Sequence, residues 1–269
     1  MTGLVPRLPP HASSTIQQFL RAHALADGNE GVVVGLSGGI DSALVARLAR
    51  DALGPERVLG VLSPDSRFPD ALKRETEEYG RSLGIETRSV PIDPVERAFT
   101  ALLPELVDRV ALGNVKARIR MIVVYALARE RRRLVAGTGN KSEILLGYFT
   151  KYGDGGADLF PIGDLYKTEL RALAAELGLP SAIRERPPTA DLWEGQTDEG
   201  ELGISYDDVD RILYGLEQLR SEAEIAAVTG FPLERVHAVV ERVRRNRHKR
   251  RTPPIPKVGL RTVGIDWRD

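Results

Sequence analysis

Gly35-Leu36-Ser37-Gly38-Gly39-Ile40-Asp41-Ser42 lies between the apolar run Val32-Val33-Val34 and a helix-forming stretch from Ala43 to Leu53. A buried strand that ends in glycines and opens directly into a helix is a phosphate cradle. Glycine lets the backbone approach an anion, and the first N–H groups of the helix face it with the positive end of the dipole. Asp41 repels a phosphate unless a cation separates them, so the string implies Mg²⁺. The plainer reading is a strand-to-helix turn with Asp41 or Ser42 as N-cap. The spacing matches neither Gly-x-x-x-x-Gly-Lys-[Ser/Thr] nor Gly-x-Gly-x-x-Gly, so a phosphate-binding lysine must come from elsewhere in the chain.

Outward from this loop, strands are expected over 32–36, 57–62 and 85–90, and helices over 42–53 and 69–83. That alternation predicts an α/β fold, a doubly wound, mostly parallel sheet flanked by helices, with a helical C-terminal region and one domain over 1–269. Ser14 with Gln17 reads as a capping box for an earlier helix reaching about residue 26. Farther on, a long helix is expected over 114–132, with Val115, Ile119, Ile122, Val123 and Ala126 as an apolar stripe. Leu134-Val135-Ala136 then runs into Gly137-Thr138-Gly139-Asn140, a second strand-to-glycine-to-helix junction. In an open parallel sheet both junctions face one crevice at the carboxyl ends of the strands.

Composition narrows the function classes. The 269 residues balance 38 Lys and Arg against 38 Asp and Glu, so any polyanion site is local rather than a property of the whole surface. Cysteine is absent, which excludes disulfides, thiolate zinc sites and a cysteine-type glutaminase within this sequence. No stretch is apolar enough to span a bilayer and the N-terminal prolines break any signal-peptide core, so a cytoplasmic protein is expected.

Ser37 to Ser42 resembles the Ser-Gly-Gly-x-Asp-Ser signature of the N-type ATP pyrophosphatases, which split ATP into AMP and pyrophosphate. A longer match follows at Thr138-Gly139-Asn140-Lys141-Ser142-Glu143 and Gly147-Tyr148-Phe149-Thr150-Lys151-Tyr152-Gly153-Asp154-Gly155-Gly156-Ala157-Asp158. This block is similar to the one that marks the ammonia-dependent NAD synthetase branch. By spacing alone Glu143 is either the capping-box partner of Asn140 or a ligand. The resemblance implies that Asp41 and Glu143 hold Mg²⁺, and that Gly35, Leu36, Ser37, Gly38, Gly39, Ile40, Asp41, Ser42, Thr138, Lys167 and Thr189 bind ATP. It also implies that Arg118, Lys151, Asp158, His248 and Lys249 bind deamido-NAD. Lys167 stands at a helix start, where its charge opposes the dipole, a placement that suits anion binding. The commoner family form has Asp-His-Ala-Ala where Gly139-Asn140-Lys141-Ser142 stand here, which leaves the contacts of those four residues open.

The same resemblance implies ligation of deamido-NAD with ammonia through an adenylated carboxylate, with ATP as co-substrate and no covalent nucleophile. Residues 186–200, polar and broken by proline and glycine, are either disordered or a lid over the nucleotide. The family's homodimer would use the apolar face of 114–132, if that face is not simply core. A separate glutaminase partner remains open. One decoy stands near the C-terminus: helices over 222–229 and 232–245 around Gly230, followed by Arg247-His248-Lys249-Arg250-Arg251, outline a helix-turn-helix DNA reader. Ile225, Val228, Val236, Val239 and Val243 suit internal packing instead, and nucleic acid is the less favoured partner.

Overall fold

The computed structural model describes residues 3–189, 192, 193, 195–264 and 266. The elements are α1 (Ala12–Ala24), β1 (Val32–Gly35), α2 (Ile40–Leu53), β2 (Val58–Leu62), α3 (Asp70–Ser82), β3 (Glu86–Ser89), α4 (Asp93–Leu102), α5 (Arg109–Glu130), β4 (Leu134–Ala136) and α6 (Lys141–Leu146). They continue with α7 (Lys167–Glu176), α8 (Ser181–Arg184), α9 (Asp198–Leu202), α10 (Tyr206–Glu217), α11 (Glu222–Thr229) and α12 (Leu233–Arg245). The sheet is parallel with strand order β3-β2-β1-β4, and Val33 pairs with Leu59 on one side and Val135 on the other. An isolated parallel bridge, Ala136 to Leu159, extends the β4 edge.

Alternation along the strands builds two cores. Val32, Val34, Val58 and Leu62 face α2, where they bury with Leu44 and Leu48, while Val33, Leu59, Val61 and Val135 face α5 through Val124 and Ala128. Leu44 has no exposed surface, and Leu44→Ala would cost about 2–5 kcal/mol through the cavity it leaves. A third core joins Leu146 of α6 to Tyr206, Val209, Ile212 and Leu213 of α10, and to Ile225, Val236, Val239 and Val240 of α11 and α12. The supposed DNA-reading helix pair therefore spends its apolar face on α10. No helix among the described residues is long and apolar enough to cross a membrane.

Three local expectations need correction. Helix α1 starts at Ala12 after His11, with no side-chain cap, and Ser14 Oγ donates back to the His11 carbonyl at 3.0 Å instead of capping. Helix α5 starts five residues before the predicted position because the Asp108 carboxylate accepts from Ala111 N–H at 2.7 Å. Of the stripe on α5, Ile119 is buried, but Ile122 is 60 % exposed and Ala126 is exposed.

The chain runs β1 to β2 to β3 toward one edge and returns to β4 on the other side of β1. Strands β1 and β4 thus flank the point where strand order reverses, and the two glycine turns that follow them share the crevice there.

Candidate active site

The turn after β1 is shaped by Gly38, whose φ of +79° disfavours any side chain. A Cβ there would also lie 2.5 Å from Leu72 Cδ1 and 2.8 Å from Thr76 Oγ1. Ser42 Oγ ties the turn together: it donates to the Gly39 carbonyl at 3.0 Å and accepts from Ser37 N–H at 3.2 Å. Gly39 is the N-cap of α2 and uses no side chain, so the first amides of α2 have no competing side-chain acceptor at the cap. Asp41 sits in the first turn of that helix and is not its cap.

The junction after β4 brings the second carboxylate. Asn140 caps α6 by accepting from Glu143 N–H at 3.0 Å, and Glu143 Oε2 accepts from Asn140 N–H at 3.3 Å, a complete capping box. The capping reading of Glu143 thus holds through Oε2, while Oε1 is left facing Lys167 Nζ at 3.4 Å. Lys167 Nζ also reaches Asp41 Oδ2 at 2.6 Å, and Asn140 Nδ2 donates to Asp41 Oδ1 at 2.9 Å. The Lys167 side chain is 3 % exposed, against 18 % for Asp41 and 16 % for Glu143. Sequence separations of 126 and 24 residues close here into one ion cluster.

Its electrostatics follow from burial. Desolvation pushes the Glu143 carboxyl up, Lys167 pulls it back, and Asp41 and Asp198 push it up again, so its pKa is raised. Burial alone would depress Lys167, but Asp41, Glu143 and Asp198 overcome it and hold the ammonium protonated. Asp198, at the start of α9, is raised chiefly by burial, and its Oδ2 accepts from Tyr206 OH at 3.1 Å. Two carboxylates delivered from two strand ends suit a hard ion that takes phosphate and water oxygens for its other positions. Among the described residues no group of three or more His, Cys, Asp or Glu could hold a metal by itself, so phosphate would have to complete the set.

Of residues 186–200, Ala190, Asp191 and Glu194 lie outside the described residues, and the described ones are tethered to the phosphate turn at Arg186 and to Arg67 at Leu192. Gln196, 8 % exposed, organises the loop: its Oε1 accepts from Leu192 N–H at 2.8 Å and its Nε2 donates to Glu201 at 3.1 Å. Thr189 is exposed, and its hydroxyl donates to the Gln196 carbonyl at 2.8 Å. Arg186 donates to the Gly38 carbonyl and to Glu75, which latches the start of the loop onto the phosphate turn. On the other side Arg67 Nη2 bridges Asp65 at 3.0 Å and the Leu192 carbonyl at 2.7 Å. Asp65 is itself seated on the buried Lys116 at 2.7 Å.

The remaining sequence-selected residues form a second, looser group. Arg118 donates to the Lys151 carbonyl at 3.3 Å, and Lys151 Nζ to the His248 carbonyl at 2.9 Å, which brings these three together. Lys249 Nζ is spent on the carbonyls of Gly147 and Phe149, both at 2.7 Å, and Arg250 binds the Leu145 carbonyl at 2.6 Å. The basic turn 246–250 is thus knitted to the C-terminal end of α6. Asp158 stands apart, accepting from Val135 N–H at 2.7 Å and Tyr125 OH at 3.2 Å. Thr138 lies half-buried in the turn after β4.

Asn140, Asp198, Gln196, Arg186 and Arg67 are site neighbours that sequence reasoning did not select. Arg186 and the Asn140 bond to Asp41 act across the chain, whereas Arg67, Gln196 and Asp198 also hold residues within eight positions of themselves, in loops or at a helix start that carry no periodic pattern.

The NAD synthase family model matches residues 12–253, which takes in every element from α1 to α12. The NH(3)-dependent NAD(+) synthetase of Methanosarcina acetivorans is 48% identical over 250 residues, 92% of this chain and 98% of that one. Among solved structures, the NMN synthetase of Francisella tularensis superposes with a TM-score of 0.82 at 32% identity, covering 94% of this chain and 100% of that chain. The NH3-dependent NAD synthetase of Campylobacter jejuni gives 0.78 at 32% identity, covering 91% and 97%. A family match over residues 12–253, with near-complete coverage of a relative 48% identical, shows that the chain belongs to the NAD synthase family.

Proposed function

We propose that this chain, working as one domain, ligates deamido-NAD with ammonia to give NAD, consuming ATP and releasing AMP and pyrophosphate. The observation that carries the reading is the Asp41–Lys167–Glu143 cluster at the end of the phosphate turn. ATP lies along residues 35–42 with Thr138 and Thr189 at its nucleoside end, and its phosphates draw the Lys167 ammonium away from the carboxylates. Asp41 and Glu143 are the residues that would hold Mg²⁺, which would supply charge neutralisation on the phosphates. The nicotinate carboxylate displaces pyrophosphate from the α-phosphorus, and Lys167 and the turn amides take up the charge that builds on the leaving group. Ammonia attacks the carbonyl carbon of the acyl adenylate, the acyl carbon–oxygen bond breaks with its electron pair leaving on the phosphate oxygen of AMP, and the surplus proton passes to AMP or solvent. The loop from Arg186 to Gly200 excludes water from the adenylate, which water would hydrolyse.

Arg118, Lys151, Asp158, His248 and Lys249 receive the dinucleotide. A second copy of the chain covers exposed apolar residues of α4, α5 and the link between them, Val95, Phe99, Leu102, Val107, Val110 and Ile122, which are between 37 % and 83 % exposed. The reaction needs no membrane and is placed in the cytoplasm. The likeness to an NMN synthetase supports a second reading, in which the acceptor is the nicotinate mononucleotide.

Purified protein with ATP, Mg²⁺, ammonium and deamido-NAD is expected to form NAD and AMP in equal amounts, and glutamine in place of ammonium to form none. ATP turnover without NAD would overturn the substrate, and NAD from glutamine alone would overturn the nitrogen source.

A further inference from the structure

Asp210 of α10 has no exposed surface and no place in the chemistry above, yet it is the point where the two catalytic helices meet. One of its carboxylate oxygens accepts from Ser142 Oγ. The other accepts from both the backbone N–H and the Oγ of Thr168, each at 2.9 Å. Ser142 Oγ in turn accepts from the backbone N–H of Lys167 at 2.9 Å. Ser142 immediately precedes Glu143, and Thr168 immediately follows Lys167. The carboxylate therefore pins the backbone beside each of the two functional side chains. It also satisfies, directly or through Ser142, the first two amides of α7, and its negative charge offsets the placing of the Lys167 cation at that helix start. One turn earlier on α10, Tyr206 sets its ring 5.2 Å from Lys167 Nζ, so the same helix backs the ammonium as well.

We propose that Asp210 is a positioning residue for the adenylation step, fixing the separation of Glu143 and Lys167 by holding the first turns of α6 and α7 together. Both of its oxygens are engaged by α6 and α7 and the residue is fully buried, so it reaches no substrate directly. Replacing it by asparagine keeps the shape but turns one acceptor into a donor. The Thr168 amide cannot rotate away, so the new NH₂ must face Ser142 Oγ, which can no longer donate there. The charge-assisted Ser142 bond gives way to a weaker amide-to-hydroxyl one that leaves the Ser142 hydrogen without its acceptor, so the α6 side of the clamp loosens and Glu143 drifts relative to Lys167. Displacements near 1 Å in a catalytic constellation cost on the order of 10²-fold in rate.

The inference rests on the proposed function only in its turnover readout, so metal-free ATP binding is measured alongside. Asp210→Asn, Thr168→Val and Thr168→Ser are compared with wild type for kcat, for KM of each substrate, for the ATP dissociation constant and for Tm. Asp210→Asn is expected to lower kcat about 10- to 100-fold and to weaken ATP binding, with KM for ammonium unchanged. Thr168→Val, which removes the hydroxyl without changing shape, is expected to lose part of the same activity, and Thr168→Ser to retain it. If Asp210→Asn and Thr168→Val lower only Tm, with kcat and ATP affinity intact, Asp210 is merely structural and the proposal falls. Should Asp210→Asn fail to fold, the Val and Ser pair at Thr168 decides alone. Wild-type protein that makes no NAD, but whose ATP affinity depends on Asp210, would sink the proposed function and leave this inference standing.

Discussion

Lys167 and Lys151 are both proposed to meet substrate, but they are held in contrasting ways. Lys167 is enclosed, 3 % exposed, and clamped by two carboxylates that face each other across the strand-order reversal. Lys151 is half-buried and its ammonium meets one backbone carbonyl, that of His248. The short helix α6 joins the two regions: Glu143 belongs to its first turn, and Lys249 binds carbonyls just past its last. Six residues at 1.5 Å each put these regions about 9 Å apart along the helix axis. In the proposed function the Lys167 region is the ATP half, its charges paired within one chain, whereas the Lys151 region is the dinucleotide half, whose cations and backbone contacts a substrate and a second copy would complete.

The largest effect should come from the closed half. Asp41→Ala or Lys167→Met is expected to lower AMP release about 10²- to 10³-fold, the usual loss for a group that stabilises developing charge. Deamido-NAD affinity, measured by equilibrium dialysis, should hold. An equal loss of dinucleotide binding would erase the division between halves. In the open half, Arg118→Ala with Lys151→Ala removes hydrogen bonds to a charged ligand, so KM for deamido-NAD should rise roughly 10- to 100-fold. At saturating dinucleotide kcat should survive, which separates binding from chemistry.

Ile122→Asp places a charge on the exposed apolar face of α5. Sedimentation should show a monomer, with dinucleotide KM raised and ATP affinity kept; a monomeric wild type would end the idea of completion by a second copy. The smallest effect concerns the rim. Asp65 is held down to about 2: burial opposes this, but hydrogen bonds from Lys116 and Arg67 prevail. A carboxylate with a depressed folded pKa contributes stability above its ordinary value and loses it as pH falls toward 2. Asp65→Asn should therefore lower Tm by several degrees at pH 7, and the gap to wild type should narrow between about pH 4 and pH 2. A gap independent of pH would assign the loss to packing.

The sheet and its phosphate turn were legible because a Val32-to-Val34 run beside Gly38 and Gly39 leaves few alternatives. Helix α4 was not, since it buries no residue fully and carries Pro94 at its start. The ion cluster was legible only through resemblance: nothing local joins Asp41 to a lysine 126 residues away. Asn140 shows the limit well, because its cap was readable from spacing while its bond to Asp41 was not. Asp210 did leave a trace, a carboxylate among Tyr206, Val209 and Leu213 on the buried face of α10, where a charge needs partners.

The most direct test is a single time course with ATP, Mg²⁺, ammonium and equal deamido-NAD and nicotinate mononucleotide, following AMP, NAD and the mononucleotide amide together. A closed ATP half feeding a dinucleotide site predicts one NAD for each AMP, with the mononucleotide amide a minor product. AMP without amide, or the mononucleotide amide in excess of NAD, would contradict it.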